Sequence, residues 1–483
     1  MSWNFHYWDL TLLAFHIGIR LITCGHAVLT KRDSRASLGW SGVIWLAPWD
    51  IGPLLYLLFG VNRIARRALS IRADRPQLLS VADLARHDVT DILDGMAGEL
   101  RHLQPLVDLV GQVTQRPLTL GNRVTPLLNG DEAYPDMLAA IEGAQRSVTL
   151  ATYIFAHDPI GQNFLGALQK AVERGVEVRV LIDAVGARYS WPTILRPLHR
   201  ARIPTAEFLP TRLPLRMQYA NLRNHRKLMV VDGTIGFTGG MNIREAHVLS
   251  RGHRRPIQDL HFRLEGPVVT HLQEAFIDDW AFAAQEILDG PTWIAEPAGV
   301  GDVLARGIAD GPDEEVDPLR MTMLGAIGCA RKRLLVVTPY FVPDESLLTA
   351  LSVAALRGVE VDIVLPKKCN LAWVQWASGP SLPELIRRGC RVWNSHPPFD
   401  HTKVVVIDDI WTLLGSANWD ARSLRLNFEF NVECYSASLA KTITQRLGER
   451  IATSEIVTLE SLENRSLALR LRDGIARLAS PYL

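Results

Sequence analysis

Cysteine is scarce in this chain, with five in 483 residues, and the count is odd. Cys24, Cys329, Cys369, Cys390 and Cys434 form no C-x-x-C pair. That argues against a zinc knuckle or a disulfide framework and for free thiols in a reducing setting. Charge of one sign is lacking too. The formal net charge is +1, so no basic field is available to hold a nucleic-acid backbone. There is no G-x4-G-K-[ST] loop to cradle a nucleotide. The aspartate-rich pattern of metal-dependent transferases acting on CDP-activated alcohols is also missing.

What the chain has is a slight apolar excess, 48% hydrophobic against 21% charged residues, concentrated in the first 61 positions. Leu10 to Leu29 is long enough to span a bilayer, and Arg20 is its only formal charge, with His16 and His26 nearby. His16 and Arg20 lie four apart and share a helix face, so this run tilts, snorkels, or pairs that face with a neighbour. Leu38 to Val61 carries Asp50 as its only charge, and Pro48, Gly52 and Pro53 break it near the middle. It reads as a kinked span or a re-entrant segment. Trp40, Trp45, Trp49 and Tyr56 suit an interface. No basic region or A-x-A-like site marks a cleaved signal peptide. Basic residues flank the second segment on both sides, Lys31, Arg32 and Arg35 before it and Arg63, Arg66, Arg67 and Arg72 after it, so orientation stays open, the cluster after it favouring a cytoplasmic catalytic body. The expected division is 1–61 membrane segments, 62–115 a helical connector, and lobes over 116–295 and 296–483.

Those lobes repeat one another. Arg146–Phe155 and Arg333–Phe341 are apolar, β-rich runs, and each follows a helix pattern, Tyr134–Ala144 and Leu319–Ala330. Each half then has a glycine helix cap and a valine-rich strand, at Arg174–Val178 and Arg357–Val361. The period is about 180 residues, so the chain holds a duplicated α/β domain with mixed sheets covered by helices.

Inside the duplication one short motif recurs. His225-Arg-Lys227-Leu-Met-Val-Val-Asp232 returns as His401-Thr-Lys403-Val-Val-Val-Ile-Asp408, 176 positions later. Each copy has an asparagine 17 positions after its histidine, Asn242 and Asn418. A single H-x-K is common by chance, but the full pattern repeated in register is not. In a strand, positions i and i+2 point the same way, so His225 and Lys227 share a face, as do His401 and Lys403. Asp232 and Asp408 belong to the motif, yet they stand at turn positions and read as structural. Gly239-Gly240 and Gly415-Ser416 let backbone and asparagine approach an anion closely. An imidazole beside an ammonium repels cations, so no catalytic metal and no cofactor are expected. Paired imidazole, ammonium and amide groups suit a phosphodiester, whose charge must be neutralised while one group attacks phosphorus and another protonates the leaving oxygen.

The paired H-x-K-x4-D motifs resemble the phospholipase D superfamily. The surrounding stretches, Asn221–Lys227, Phe237–Asn242, Leu264–Pro267, Thr338–Asp344 and Gly415–Glu429, are similar to bacterial cardiolipin synthases of that type over nearly the whole chain. The loop from Ala246 to Ile257 departs from the usual family text, which bears on lipid choice. The polar residues of the first membrane segment depart as well.

The resemblance implies a phosphatidyltransferase of the bacterial inner membrane, hairpin-anchored or multi-pass. It would join two phosphatidylglycerols into cardiolipin and glycerol through a phosphohistidine, with His225 as nucleophile and His401 as acid and base. Lys227, Lys403, Asn242 and Asn418 would hold the non-bridging oxygens. Asp259 and Glu429 are expected to orient the histidine of their own half. The Arg-, Leu- and Pro-rich connection Ala187 to Gln218 either lines the entrance or is a surface loop. Three rivals remain. A hydrolase needs the same residues with water as acceptor; a nuclease is disfavoured by charge and the apolar front; a catalytically dead membrane scaffold is disfavoured by two intact motifs.

Overall fold

Each half of the chain builds the same sheet. In the computed structural model, which describes residues 7–31, 34–60, 100–210, 222–312 and 317–480, the first half orders its strands Thr119–Leu128, Leu260–Glu265, Ile235–Gly239, Leu228–Val231, Ser147–Thr152, Glu177–Asp183 and Thr205–Phe208. The second half repeats that order with Val303–Asp310, Asn427–Tyr435, Trp411–Gly415, Val404–Ile407, Arg333–Val337, Glu360–Pro366 and Arg391–Ser395. Thr119–Leu128 and Val303–Asp310 pair antiparallel and join the two sheets into one. The lobes are thus related by an internal pseudo-two-fold, with the seam at the sheet's centre.

Central strands are buried on both faces, which is why they read as continuous apolar runs. Every residue of Ser147–Thr152 is buried, as is every residue of Val404–Ile407. Asn129–Gly143 and Pro159–Glu173 pack with the first lobe's core, and Pro318–Cys329 and Glu345–Leu356 with the second's. Gly175 (φ 87°) and Gly358 (φ 91°) stop the crossover helices in the left-handed region and aim the chain into the next strand. All five cysteines are unbonded.

The motif strands form tight hairpins. Leu228–Val231 turns into Ile235–Gly239 through Asp232 (φ 53°) and Gly233 (φ 67°), and the second hairpin turns at Asp408 (φ 51°) and Asp409 (φ 56°). Each aspartate accepts from three successive backbone N–H groups: Gln145, Arg146 and Ser147 for Asp232, and Arg331, Lys332 and Arg333 for Asp408. His102 adds a bond to Asp408 at 3.1 Å.

The amino-terminal helices form a separate unit. Tyr7–Thr30 is its long helix, apolar and long enough over Leu10–Thr30 to cross a bilayer. A second helix, Ser34–Leu46, is shorter, and the chain restarts at Ile51–Leu55 and widens into a π-type turn over Tyr56–Gly60. The break therefore falls at Ala47–Asp50, around Pro48. Gly52 and Pro53, expected as breakers, lie in the first turn of the restarted helix, where proline is tolerated because its N–H would be unpaired anyway. Arg20 reaches across to the break, donating to the carbonyls of Trp45 (3.2 Å), Ala47 (3.3 Å) and Trp49 (2.5 Å). His16 Nδ1 meets Asp50 Oδ2 at 2.5 Å. The polar face of the first segment is thus paired with its neighbour. Of the expected connector, the short helix Arg101–Leu103 and the helix Gln104–Thr114 are described. Its earlier part, with Arg63, Arg66, Arg67 and Arg72, lies outside the described residues, as does the end of the Ala187–Gln218 connection.

Candidate functional site

The motif residues His225 to Lys227 and His401 to Lys403 precede their strands, which begin at Leu228 and Val404. The expectation that histidine and lysine alternate along a strand is corrected accordingly. Each histidine enters through a short parallel bridge to the opposite lobe. Arg223–Asn224 pairs with Asn427–Phe428, and Phe399–Asp400 pairs with Ile257–Gln258. His225 N donates to Phe428 O at 2.9 Å, and His401 N to Gln258 O at 2.8 Å.

These bridges decide the partners. Glu429 follows Phe428 directly, and Asp259 follows Gln258. His225 Nδ1 accordingly lies 3.0 Å from Glu429 Oε1, and His401 Nδ1 lies 3.0 Å from Asp259 Oδ2. The expected pairing within each half is corrected: the carboxylates cross the seam. Strand neighbours within a sheet suggested same-lobe partners, but each histidine stands ahead of its strand, at the seam, where the other lobe's returning strand begins.

The two pairs differ in support. Glu429 also accepts from Ser416 Oγ at 2.5 Å and Asn427 Nδ2 at 3.1 Å. Burial pushes its pKa up, but His225, Lys227 and Ser416 outweigh it and hold the carboxyl below its ordinary range. Asp259 accepts from the Leu260 N–H at 2.8 Å, and burial together with nearby Asp400 raises its pKa to about 8. Burial lowers both histidines, with Lys227 and Lys403 adding repulsion, so both imidazoles are neutral.

Both histidines line one cavity of about 450 Å³, with Asn242, Asn418, Arg223, Arg244, His247 and Arg422 among its walls. Lys227 and Lys403 are buried beneath it, each Nζ donating to the carbonyl of its own histidine at 2.6 Å. Burial lowers Lys227 to about 7 and Lys403 to about 8. Asn242 Oδ1 accepts from Ile154 N at 3.0 Å, so the group it has for an anion is its amide N–H. Asn418 Nδ2 donates to Ser423 Oγ at 3.3 Å, while its Oδ1 is buried without a hydrogen-bond partner.

Asp232 and Asp408, grouped with the catalytic set as motif members, are not in the cavity wall; they hold the far turns. The glycine rationale also changes. A Cβ on Gly240 would meet Asp259 Oδ1 and Oδ2 at 2.6 Å and His401 O at 2.7 Å, so the close approach there is to the crossed pair rather than to an anion. Asn427, Tyr153, Tyr340 and His247 were not assigned roles from sequence, and Ser416 was read only as part of a close-approach turn, not as a donor to Glu429. His247 is fully buried, neither ring nitrogen has a partner, and its ring lies 6.3 Å from that of His401. Its only signal was the unusual text of the Ala246–Ile257 loop.

A duplicated α/β sheet with two crossed imidazole–carboxylate pairs on one cavity defines a phospholipase D-like enzyme. The family model described as "Cardiolipin synthase, PLD-like domain" matches residues 137–280 and 323–451. The chain is 32% identical over 457 residues to the cardiolipin synthase of Geobacillus kaustophilus, covering 94% of this chain and 90% of that protein. It is 32% identical over 466 residues to the major cardiolipin synthase of Bacillus subtilis, covering 94% and 95%. Among solved structures, phosphatidylserine synthase of Haemophilus influenzae matches with a TM-score of 0.62 at 13% identity, over 78% of this chain and 100% of that one, a likeness of fold. The chain belongs to the bacterial cardiolipin synthases of the phospholipase D-like family, and it is a phosphatidyltransferase.

Proposed function

We propose that the enzyme transfers a phosphatidyl group from one phosphatidylglycerol to the glycerol hydroxyl of another, through a phosphohistidine on His225. The crossed carboxylate pairs are the observation that carries this reading. Glu429, ionised, accepts a hydrogen bond from the Nδ1–H of neutral His225 and leaves the Nε2 lone pair for phosphorus. Asp259, protonated, donates to Nδ1 of neutral His401, so the His401 proton sits on Nε2, toward the leaving oxygen.

Nε2 of His225 attacks phosphorus and the P–O bond to glycerol breaks. The departing oxygen takes the His401 Nε2 proton while Nδ1 takes the proton of Asp259. The second lipid's hydroxyl then attacks phosphorus and gives its proton to His401 Nε2 while Nδ1 returns its own to Asp259, and the P–N bond breaks. The exchanged alcohols are alike, so the reaction is near energetic balance and no cofactor or metal is called for. Lys227, Lys403 and the amides of Asn242 and Asn418 hold the non-bridging oxygens, where charge grows. Asp232 and Asp408 act only through the turns they hold.

Residues 1–61 anchor the enzyme in the inner membrane, and the lobes over 116–295 and 296–483 stand on the cytoplasmic side. The connector is 62–115, and nucleic acid is not a partner. Purified enzyme given labelled phosphatidylglycerol in mixed micelles, without metal or CTP, tests the reading: cardiolipin and free glycerol are expected. Phosphatidic acid as the sole lipid product would make the enzyme a hydrolase. Trapping the phosphate on His401 instead of His225 would reverse the roles.

A further inference from the structure

The last helix, Leu467–Leu478, is built inside out. Its inward face carries Asp473 and Ala476, both buried. Its outward face carries Leu467 (70% exposed), Leu471 (57%), Ile475 (63%) and Leu478 (81%). The spacing of four, four and three puts those aliphatic side chains in a single stripe along the helix. Arg470 and Arg477, both exposed, flank the stripe. A surface helix of a globular protein shows the reverse arrangement.

The inward face is held by charge. Asp473 takes Arg465 at 2.6 Å and Arg472 at 2.8 Å, and the Arg472 guanidinium lies 4.4 Å over the Trp376 ring. Trp376 contacts Trp373 at 5.4 Å between rings. Trp373 and Leu371 are exposed and also line the reaction cavity. On the first lobe's side of that cavity stands Tyr189, exposed, followed two positions later by Trp191, which is 90% exposed. Trp373, Trp376 and Arg472 therefore link the cavity mouth to the last helix by successive ring and cation–π contacts.

We propose that Leu467–Leu478 is a docking helix for the surface of an anionic phospholipid bilayer. The aliphatic stripe enters the boundary between headgroups and acyl chains. Arg470 and Arg477 meet lipid phosphates at the headgroup level. Docked so, the helix holds the cavity mouth against the bilayer, and substrate passes from membrane to cavity without crossing water. A lipid surface fits the flanking arginines and the link to a lipid-accepting cavity; a second protein surface accounts for neither. The inference rests on the cavity taking lipid, which is the reading proposed above.

Full-length enzyme carrying Ile475→benzoylphenylalanine, irradiated on vesicles of labelled phosphatidylglycerol, tests the contact. Lipid cross-linked to the 467–478 helix is expected, several-fold less on vesicles of phosphatidylcholine alone. Cross-links to a second copy, to another segment of the chain, or to nothing would overturn the proposal. Separately, Leu471→Asp/Ile475→Asp should raise KM for vesicle phosphatidylglycerol about five-fold or more. KM for the monomeric dihexanoyl lipid should stay within about two-fold. An equal rise on both substrates would also overturn it. Product identity is read independently: phosphatidic acid without cardiolipin would remove the functional reading and leave the cross-link standing.

Discussion

His225 and Glu429 are 204 positions apart and belong to different lobes, yet His225 Nδ1 lies 3.0 Å from Glu429 Oε1. His401 and Asp259 repeat the relationship in the opposite sense. Each histidine therefore takes its carboxyl partner from the other lobe, and each half completes the other's pair. The two carboxyls are not equivalent: Glu429 has Ser416 and Asn427 as further donors, and Asp259 is raised by burial.

Glu429→Gln should therefore cut kcat by roughly 10²–10⁴-fold, because an amide no longer fixes the tautomer that exposes the Nε2 lone pair. Rapid quenching should show slow labelling of the peptide containing His225, although the substitution is in the other lobe. Asp259→Asn should slow both labelling of that peptide, which accompanies glycerol release, and its discharge to the second lipid, since His401 acts in both steps. If Glu429→Gln instead leaves labelling of His225 unchanged, the crossed assignment of roles fails.

Lys227 and Lys403 set an alkaline limit. Their free-enzyme pKa values are lowered to about 7 and about 8, so the ammonium form is present below those values and lost above them. kcat/KM should fall as pH rises through 7 to 8. A bound phosphodiester favours the charged form, so the corresponding limb of kcat should lie at higher pH. A kcat/KM profile flat to pH 10 would mean that the lysines do not titrate where burial places them.

The duplication, the alternation of strands and helices within each lobe and the members of the paired motif were legible from residues alone; the strand order was not. Continuous apolar strands, glycine caps at Gly175 and Gly358, and a motif repeated in register are all local signals. What sequence could not supply was how the lobes meet. The crossing of Glu429 and Asp259 depends on two-residue bridges, Arg223–Asn224 to Asn427–Phe428 and Phe399–Asp400 to Ile257–Gln258, too short to leave a periodic signal. Ser416 and Asn427 were hidden for the same reason: their role exists only once Glu429 has turned toward the other lobe. His247 was visible only as an oddity in a loop.

His247 should bear on the choice of acceptor. Burial, with Arg244 and Lys403 nearby, holds its pKa well below the ordinary value, so it offers a neutral imidazole with two unspent nitrogens in a cationic cavity. Such a ring suits hydroxyl groups better than anions. His247→Phe should leave formation of the phosphohistidine within about three-fold and raise the ratio of hydrolysis to transfer by about ten-fold, since a lost hydrogen bond to a substrate hydroxyl is of that order. Mass spectrometry of phosphatidic acid against cardiolipin reads the ratio directly.

Gly240→Ala should cost activity out of proportion to stability. The added Cβ would lie 2.6 Å from both Asp259 carboxylate oxygens and 2.7 Å from His401 O. Relief of that clash moves the Asp259–His401 pair, and displacement by about an ångström lowers turnover by roughly 10²-fold. Gly143→Ala meets nothing within 4 Å and serves as the matched control. Equal loss in melting temperature and turnover for Gly240→Ala would assign the glycine to packing alone.

The amino-terminal hairpin carries its own test. Arg20 closes the gap left where the second helix stops, taking the carbonyls of Trp45, Ala47 and Trp49, and its Nε lies 4.0 Å from Asp50 Oδ1. In hydrocarbon such carbonyls have no water to turn to, so Arg20→Leu strands them and leaves Asp50 with His16 but without the neighbouring positive charge. Asp50→Leu leaves Arg20 its carbonyl partners and should be milder. The double variant should be less damaging than the sum of the two, with a coupling of about 1–2 kcal/mol. Fluorescence-detected thermal unfolding of detergent-solubilised full-length enzyme measures each term. Strict additivity would mean that the arginine serves the broken helix and owes nothing to the aspartate.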